Sequence, residues 1–332
     1  MLQNPNNLRN STEMSTDPFS EILRFTSAET VASGGFTAGG AWAIRFPAPG
    51  KIKFFALVKG GCWLSLEGQE QPIRVETGDV FLLSTRRPFV LAGDLDAEPV
   101  EATGLFAASI DKMAKLGDTE DCIQIGGYVR LDPVNGNLLA DALPPLIHVR
   151  ACAPEATAVQ WLLDQLVRER TGELPGASLA STQLAQLIFV QILRAHLAVS
   201  GTLATGWLRA LADPRIAPAL RLMHSDPGRR WQLDDLAKAA AMSRSTFALH
   251  FKAVAGVAPL AYLTEWRMRL AERALREEST PVAVLARSLG YTSESAFSNA
   301  FKRVNGRAPK RYRTSAKAPD AHARTSHMES SL

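Results

Sequence analysis

Much of what marks an enzyme is missing from this 332-residue chain. Histidine is scarce, with six in all, and none precedes His148. The first 147 residues therefore offer no imidazole to a metal, and carboxylates alone rarely hold zinc, iron or copper in a catalytic site. No metal and no cofactor is expected. There is no HExxH pair, no nucleophile elbow and no phosphate-cradling glycine loop. An enzyme reading, a barrel catalyst carrying a nucleic-acid tether, is left without a candidate catalytic residue. The three cysteines, Cys62, Cys122 and Cys152, lie 60 and 30 residues apart, which is neither a CxxC pattern nor an even disulfide set. They read as buried reduced thiols or as redox-sensing thiols, with Lys59 the one basic residue close to Cys62. No run of 18 apolar residues exists, because Leu179 to Val199 is broken by Gln183, Gln186, Gln191, Arg194 and His196. No membrane partner is expected. Residues 1–17 lack the basic patch and apolar run of a signal peptide, so they read as a disordered arm on a cytoplasmic protein.

What is present is an uneven distribution of charge. Met1 to Pro227 carries 19 Lys and Arg against 24 Asp and Glu, whereas Gly228 to Arg313 carries 16 against 7. A basic segment on an otherwise acidic chain points to a polyanion partner for that segment alone.

The same segment contains an internal repeat at an offset of about fifty residues. Leu236-Ala237 returns as Leu285-Ala286, Phe247 as Phe297, Phe251-Lys252 as Phe301-Lys302, Gly256-x-Ala258-Pro259 as Gly306-x-Ala308-Pro309, and Tyr262 as Tyr312. Each copy reads as a short helix, a tight turn, a second helix and a glycine stop, which is a helix-turn-helix. In the first copy Leu233 to Ala240 has helical apolar spacing, and Ser243 caps a helix through Val254 that Gly256 closes. In the second, Thr280 is the expected N-cap with Pro281 at the first helical position, Gly290 ends the helix, and Ser293 caps the next. Leu260 to Arg276 reads as the helix linking them.

A rotation of 100° per residue then separates core from surface. Phe247, Phe251 and Val254 share one face of the first reading helix, as Phe297, Phe301 and Val304 do in the second. Outward lie Ser245, Leu249 and Lys252 in the first, and Ser295, Asn299 and Lys302 with Ser298 beside them in the second. Asn pairs bidentately with adenine, Ser bonds several base edges and Lys takes guanine or phosphate, so the second surface suits the major groove. Leu249 and Ala248 can only pack against thymine methyls, so the first helix reads fewer bases or relies on Arg244, Ser245 and Thr246.

Trp231 to Arg313 resembles the DNA-binding domain of AraC/XylS-type transcription regulators, most densely through Gly290-Tyr291, Ser293-Glu294, Phe297-Ser298, Phe301-Lys302 and Gly306-x-Ala308-Pro309-x-x-Tyr312-Arg313. The resemblance implies double-stranded DNA as partner, two reading helices in successive major-groove segments, dimers on paired half-sites, and activation through RNA polymerase, with repression left open.

Ahead of it, Phe36 to Leu91 shows period-2 patterning: Trp42, Ile44 and Phe46 alternate with Ala43 and Arg45, and Cys62, Leu64 and Leu66 with Trp63, Ser65 and Glu67. Short strands at such spacing suggest a small antiparallel barrel or jelly roll. Gly60-x-Cys62-Trp63-Leu64 and Glu76-x-Gly78-Asp79-Val80 resemble the cupin-like sensor domain of one branch of that family, with Phe55 and Phe89 standing where related sequences often have histidine. Trp42, Phe55, Trp63 and Phe89 read as an apolar pocket for an unknown small-molecule effector, or as packed core. Asp94 to Glu101 is expected to be an acidic loop, and Gly126-Gly127-Tyr128 a return turn.

Helices resume after Pro154. Ala156 to Arg170 places Val159, Leu162, Leu163 and Leu166 on one side, and Leu179 to Val199 carries a stripe through Leu184, Leu187, Ile188, Gln191 and Leu193; these faces either make a homodimer contact or cover the barrel. A further helix is expected from Asp213-Pro214 to about His224. The expected fold is α+β and multidomain. Its parts are an arm (1–17), a cupin-like antiparallel β-barrel (18–153), a helical connector (154–227), an all-α domain with two helix-turn-helix motifs (228–313) and a flexible tail (314–332).

Overall fold

The structure is a computed structural model that describes residues 17–107, 113–172, 174–199, 204–277 and 279–317. Of the expected arm and tail, residues 1–16 and 318–332 lie outside the described residues. Two compact units divide at Ala204/Thr205, with residues 17–21 grouped with the C-terminal one.

The N-terminal unit is a two-sheet β-sandwich of the kind the alternation foretells. After a short helix α1 (Pro18–Phe25) come β1 (Glu29–Ala38), β2 (Ala43–Phe46), β3 (Ile52–Lys59), β4 (Gly61–Leu66), β5 (Ile73–Glu76), β6 (Val80–Leu83), β7 (Phe89–Ala92), β8 (Val100–Glu101), helix α2 (Ala102–Ala107), β9 (Met113–Leu116), β10 (Cys122–Arg130), helix α3 (Asn137–Ala140) and β11 (Leu146–Val149). One sheet runs β11-β6-β3-β10-β1-β9 and the other β5-β4-β7-β2-β8. Pairing is antiparallel except for β1 with β9 and β2 with β8. Side chains alternate across a strand, so Ile44 and Phe46, Cys62, Leu64 and Leu66, and Phe55 and Leu57 all enter one core between the sheets.

Two local expectations are corrected. Gly126-Gly127-Tyr128 lies in the middle of β10, opposite Phe55, Phe54 and Lys53 of β3, and is not a turn. A Cβ on Gly126 would lie 2.9 Å from the Phe55 ring, so the glycine marks close packing inside a sheet. The acidic stretch from Asp94 ends in the short strand β8, paired with β2.

The expected connector divides between the two units. Helices α4 (Thr157–Thr171) and α5 (Ala177–Ala198) belong with the β-sandwich and cover the side of the six-stranded sheet opposite its core. Val159, Leu162, Leu163 and Leu166 are buried there, as are Ile188, Phe189 and Ile192. Gln186 of α5 ties the helix to β1, accepting from the Thr30 N–H at 2.8 Å and donating to the Ala28 carbonyl at 2.9 Å. The opposite side of the pair leaves Trp161 61% and Leu187 48% exposed.

The C-terminal unit is all helical: α6 (Trp207–Ala212), α7 (Ala217–Ser225), α8 (Leu233–Ala239), α9 (Arg244–Ala255), α10 (Pro259–Glu277), α11 (Val282–Ser288), α12 (Glu294–Asn305) and α13 (Pro309–Lys317). Helix α6 is not foreseen from sequence, and α7 begins at Ala217, after the Asp213-Pro214 signal. The N-cap of α11 is Pro281, one residue beyond the expected Thr280. Two separate cores form. One gathers Phe247, Phe251, Tyr262 and Leu263 with Ile216, Leu220 and Met223 of the α6–α7 region; the other gathers Met268, Leu275, Leu285, Phe297 and Phe301. Val304 is 46% exposed, contrary to its expected core position, whereas its repeat partner Val254 is buried. The first core is roofed by α6 and α7, and among the described residues no such pair of helices lies against the second. Among the described residues, no single helix is long and apolar enough to cross a membrane.

Candidate nucleic-acid interface and ligand cavity

The two reading helices are built by the same local chemistry. Ser243 accepts a hydrogen bond from the Thr246 N–H at 3.2 Å, and Ser293 accepts one from the Ala296 N–H at 3.1 Å. Each cap satisfies one of the donors that a helix start leaves orphaned. Gly256 and Gly306, both left-handed, end the two helices. With Phe247 and Phe251 fully buried in one and Phe297 and Phe301 in the other, rotation about each axis is fixed.

That rotation places the expected surface residues outward. In α9, Arg244, Ser245, Thr246, Leu249 and Lys252 are exposed, Leu249 at 73%. Arg244 also lies 3.8 Å from Asp234, an exposed pair that leaves the guanidinium available to phosphate. In α12, Ser295, Asn299 and Lys302 are exposed and Ser298 is half-buried. Arg303, beside Lys302, and Arg287 on α11 are exposed too. They are cations suited to the DNA backbone that the sequence reading passed over, although the basic character of the segment was the available signal.

Polar contacts tie the helices of this unit together. His250 of α9 lies 2.7 Å from the Asp213 carboxylate and 3.3 Å from Arg215 Nη2. Burial alone would raise the Asp213 carboxyl. The Arg215 N–H, His250 and the Arg215 guanidinium together hold it below the usual carboxylate value. Its stabilising contribution is therefore present above the ordinary carboxylate pKa and lost as pH falls through the lowered one. Between the repeats, Arg267 of α10 donates to the Pro227 and Arg229 carbonyls and lies over the Tyr291 ring. His224 stacks on Trp266 with ring centroids 4.3 Å apart and lies 2.9 Å from the Tyr262 hydroxyl, whose proton burial makes harder to remove.

In the N-terminal unit a cavity of about 360 Å³ opens between the sheets, covered by α2. Its apolar lining includes Phe36, Phe46, Phe55 and Phe106, and its polar lining Lys53 and Gln124. Of the four expected pocket residues, Phe55 alone lines it. Trp42 is packed edge-on to Phe36 in the core, and Phe89 lies stacked against Phe46 at 4.7 Å. Trp63 points away from the core, beneath the Arg74 guanidinium. Lys53 and Gln124 were missed, yet Lys53 shares the inward parity of Phe55 and Leu57, a signal alternation could have given.

Cys62 and Cys122 are both buried; the neighbouring Cys122 thiol and burial push the Cys62 thiol up. Cys152 is exposed. A thiol reagent added to the folded protein is expected to react fast with one cysteine and with all three after denaturation. Three fast-reacting thiols in the folded state would refute this burial. Among the described residues, no three His, Cys, Asp or Glu side chains gather as metal ligands.

Comparison with known proteins follows the same division. Residues 17–198 match the cupin family model, and residues 236–315 match that of a helix-turn-helix domain. A putative AraC-like transcription regulator of Streptomyces antibioticus is 43% identical over 90% of this chain and 98% of its own length. The transcriptional regulator AlkR of Acinetobacter baylyi is 30% identical over 82% of this chain and 91% of its own. Among solved structures, the DNA-binding domain of AdpA in complex with a target DNA matches at 29% identity over 32% of this chain and 96% of that one, with a TM-score of 0.31.

Proposed function

Because the chain belongs to the AraC-like transcription regulators that carry an N-terminal cupin domain, we propose that it acts in the cytoplasm as a homodimeric activator. In this reading the cupin-like domain senses a small molecule and alters how the DNA-binding domain engages promoter DNA. The protein is a DNA-binding transcription regulator. The observation that carries the specificity of the reading is the pair of serine-capped helices whose buried phenylalanines turn hydrogen-bonding side chains outward from a basic unit. Catalysis is not part of this function. The polar side chains Lys53 and Gln124 in the lining of the cavity are groups suited to holding a ligand.

Base choice rests chiefly on α12. Ser295, Ser298 and Asn299 supply donors and acceptors, while Arg244, Lys252, Lys302 and Arg303 supply phosphate contacts; Ser245 and Thr246 serve α9, where Leu249 offers only an apolar surface. Selection of duplexes from a random pool by the full-length protein tests this. Two half-sites spaced by whole helical turns are the expected result, and the absence of any enriched sequence would overturn base readout. Asn299→Ala is then expected to weaken binding about tenfold or more and to relax choice at one base position. Equal loss on every sequence would assign Asn299 to the backbone instead.

The homodimer rests on Trp161 and Leu187, large apolar side chains left exposed while their helices' other faces are buried. Leu187→Glu together with Trp161→Glu is expected to shift the protein to monomer in sedimentation and to weaken binding to paired half-sites more than to one. A dimer that persists would move the interface elsewhere. Contact with RNA polymerase would follow DNA binding, and activation is read from transcription in a purified system.

A further inference from the structure

We infer that the cavity of the cupin-like domain binds a compact carboxylate whose second polar group sits at the far end from the carboxyl; this rests on the sensor reading and names its ligand class. The argument begins with strand register. Tyr128 of β10 lies opposite Lys53 of β3, Gly126 opposite Phe55 and Gln124 opposite Leu57. On the other side of β10, Phe36 of β1 lies opposite Gln124. Lys53, Phe55 and Leu57 therefore share the inner face with Gln124, and the positions of Lys53 and Gln124 are four residues, or roughly 13 Å, apart along the strands. Lys53 is half-buried at one end of this face, and Gln124 is fully buried at the other.

Both polar side chains are underused by the fold. Gln124, at 0% exposure between Phe36 and Leu57, has no partner among the described residues for either its amide oxygen or its amide nitrogen. Buried amides are ordinarily hydrogen-bonded, and one without a partner in an apolar core is destabilising. A glutamine held there offers one acceptor and two donors to whatever enters the cavity. The Lys53 ammonium lies 5.8 Å from the Phe46 ring centre and pairs with no carboxylate among the described residues. Burial lowers its pKa, the sign of a cation that an incoming anion would stabilise.

Between these ends the lining is mainly apolar, with Ser33 and Thr103 also bordering it. Phe46, Phe55 and Phe106 supply ring surface, and Gly126 presents bare backbone beside Phe55. A volume of about 360 Å³ lies at the lower end for small-molecule sites, which favours a compact body. The complementary molecule has a carboxylate at Lys53, a ring or short chain against the phenylalanines, and a hydroxyl, carbonyl or amide at Gln124.

The test uses full-length protein and 3-(4-hydroxyphenyl)propanoate as probe, with binding read by calorimetry. The wild type is expected to bind it. Removing the hydroxyl, as in 3-phenylpropanoate, or making Gln124→Leu should each weaken binding severalfold, and the two losses should not add. Lys53→Met, or the neutral 3-(4-hydroxyphenyl)propanamide in place of the acid, should weaken it about tenfold or more. Thermal melting of both variants checks that they fold, and Gln124→Leu should melt no lower than wild type. No binding by the acid, or binding untouched by Gln124→Leu, overturns the inference. Equal affinity for acid and amide removes the carboxylate class but leaves a sensor of neutral molecules. Binding with the expected pattern but no change in DNA affinity keeps the ligand class and removes the sensor reading.

Discussion

Truncation of Phe301 to alanine is expected to cost about 3–5 kcal/mol and to abolish sequence-specific DNA binding, although Phe301 never faces DNA. Its ring is fully buried, edge-on to Tyr312 at 5.4 Å and beside Phe297 at 5.8 Å. The core it belongs to is small, so the void cannot be refilled from neighbouring layers. Chemical denaturation followed by tryptophan fluorescence and circular dichroism would measure the loss, and hydrogen exchange should localise it to α11 and α12. Val304→Ala on the same helix should stay within about 0.5 kcal/mol because that side chain is half exposed. Comparable losses from the two substitutions would mean that the second core extends over Val304.

The second large effect concerns Gly290, which ends α11 with φ of +82°. A Cβ there would stand 2.2 Å from the Gly228 carbonyl oxygen and 3.0 Å from Arg267 Nη2. Valine at 290 combines left-handed strain of about 1–3 kcal/mol with a collision against backbone that cannot swing aside. Gly306 has a similar φ of +70°, but nothing lies within 4 Å of its would-be Cβ. Gly306→Ala should therefore show conformational strain alone, about 1 kcal/mol. Melting of the two variants side by side separates strain from collision. If Gly290→Val melts no lower than Gly306→Ala, the close approach of residue 228 to 290 is not rigid.

How much of this was legible in the sequence follows from what each pattern encodes. Capping and periodicity are local, so Ser243, Ser293, Gly256 and the buried phenylalanines of α9 and α12 stand where the repeat puts them. Which helices lie over a given core is not local. Val254 and Val304 occupy equivalent places in the repeat, and only the roof of α6 and α7 over the first makes one buried and the other exposed. In the sandwich, alternation correctly sends Trp42, Phe55 and Phe89 inward. It does not say which inward residues meet the opposite sheet and which border a gap, since that depends on sheet separation. Phe89 stacks on Phe46, Trp42 packs on Phe36, and the cavity opens instead beside Lys53, Phe55 and Gln124. Gly126-Gly127 looked like a turn because glycine supports both a sharp bend and a tight crossing, and the neighbours that decide between them are remote in sequence.

The division of the helical unit into two cores bears on how such a protein changes over generations. Helix α10 lends Tyr262 and Leu263 to one core and Met268, Ala271 and Leu275 to the other, on successive turns. An unfavourable substitution in one half is then not transmitted through packing to the other, and the outer face of either reading helix can drift while its inner face stays constrained. Leu249 and Asn299 occupy equivalent places in the repeat on helices of like build, yet one presents only an apolar surface and the other an amide. Under the proposed readout, substitutions on the outer face of α12 would change base choice while the packing of α9 stays as it is.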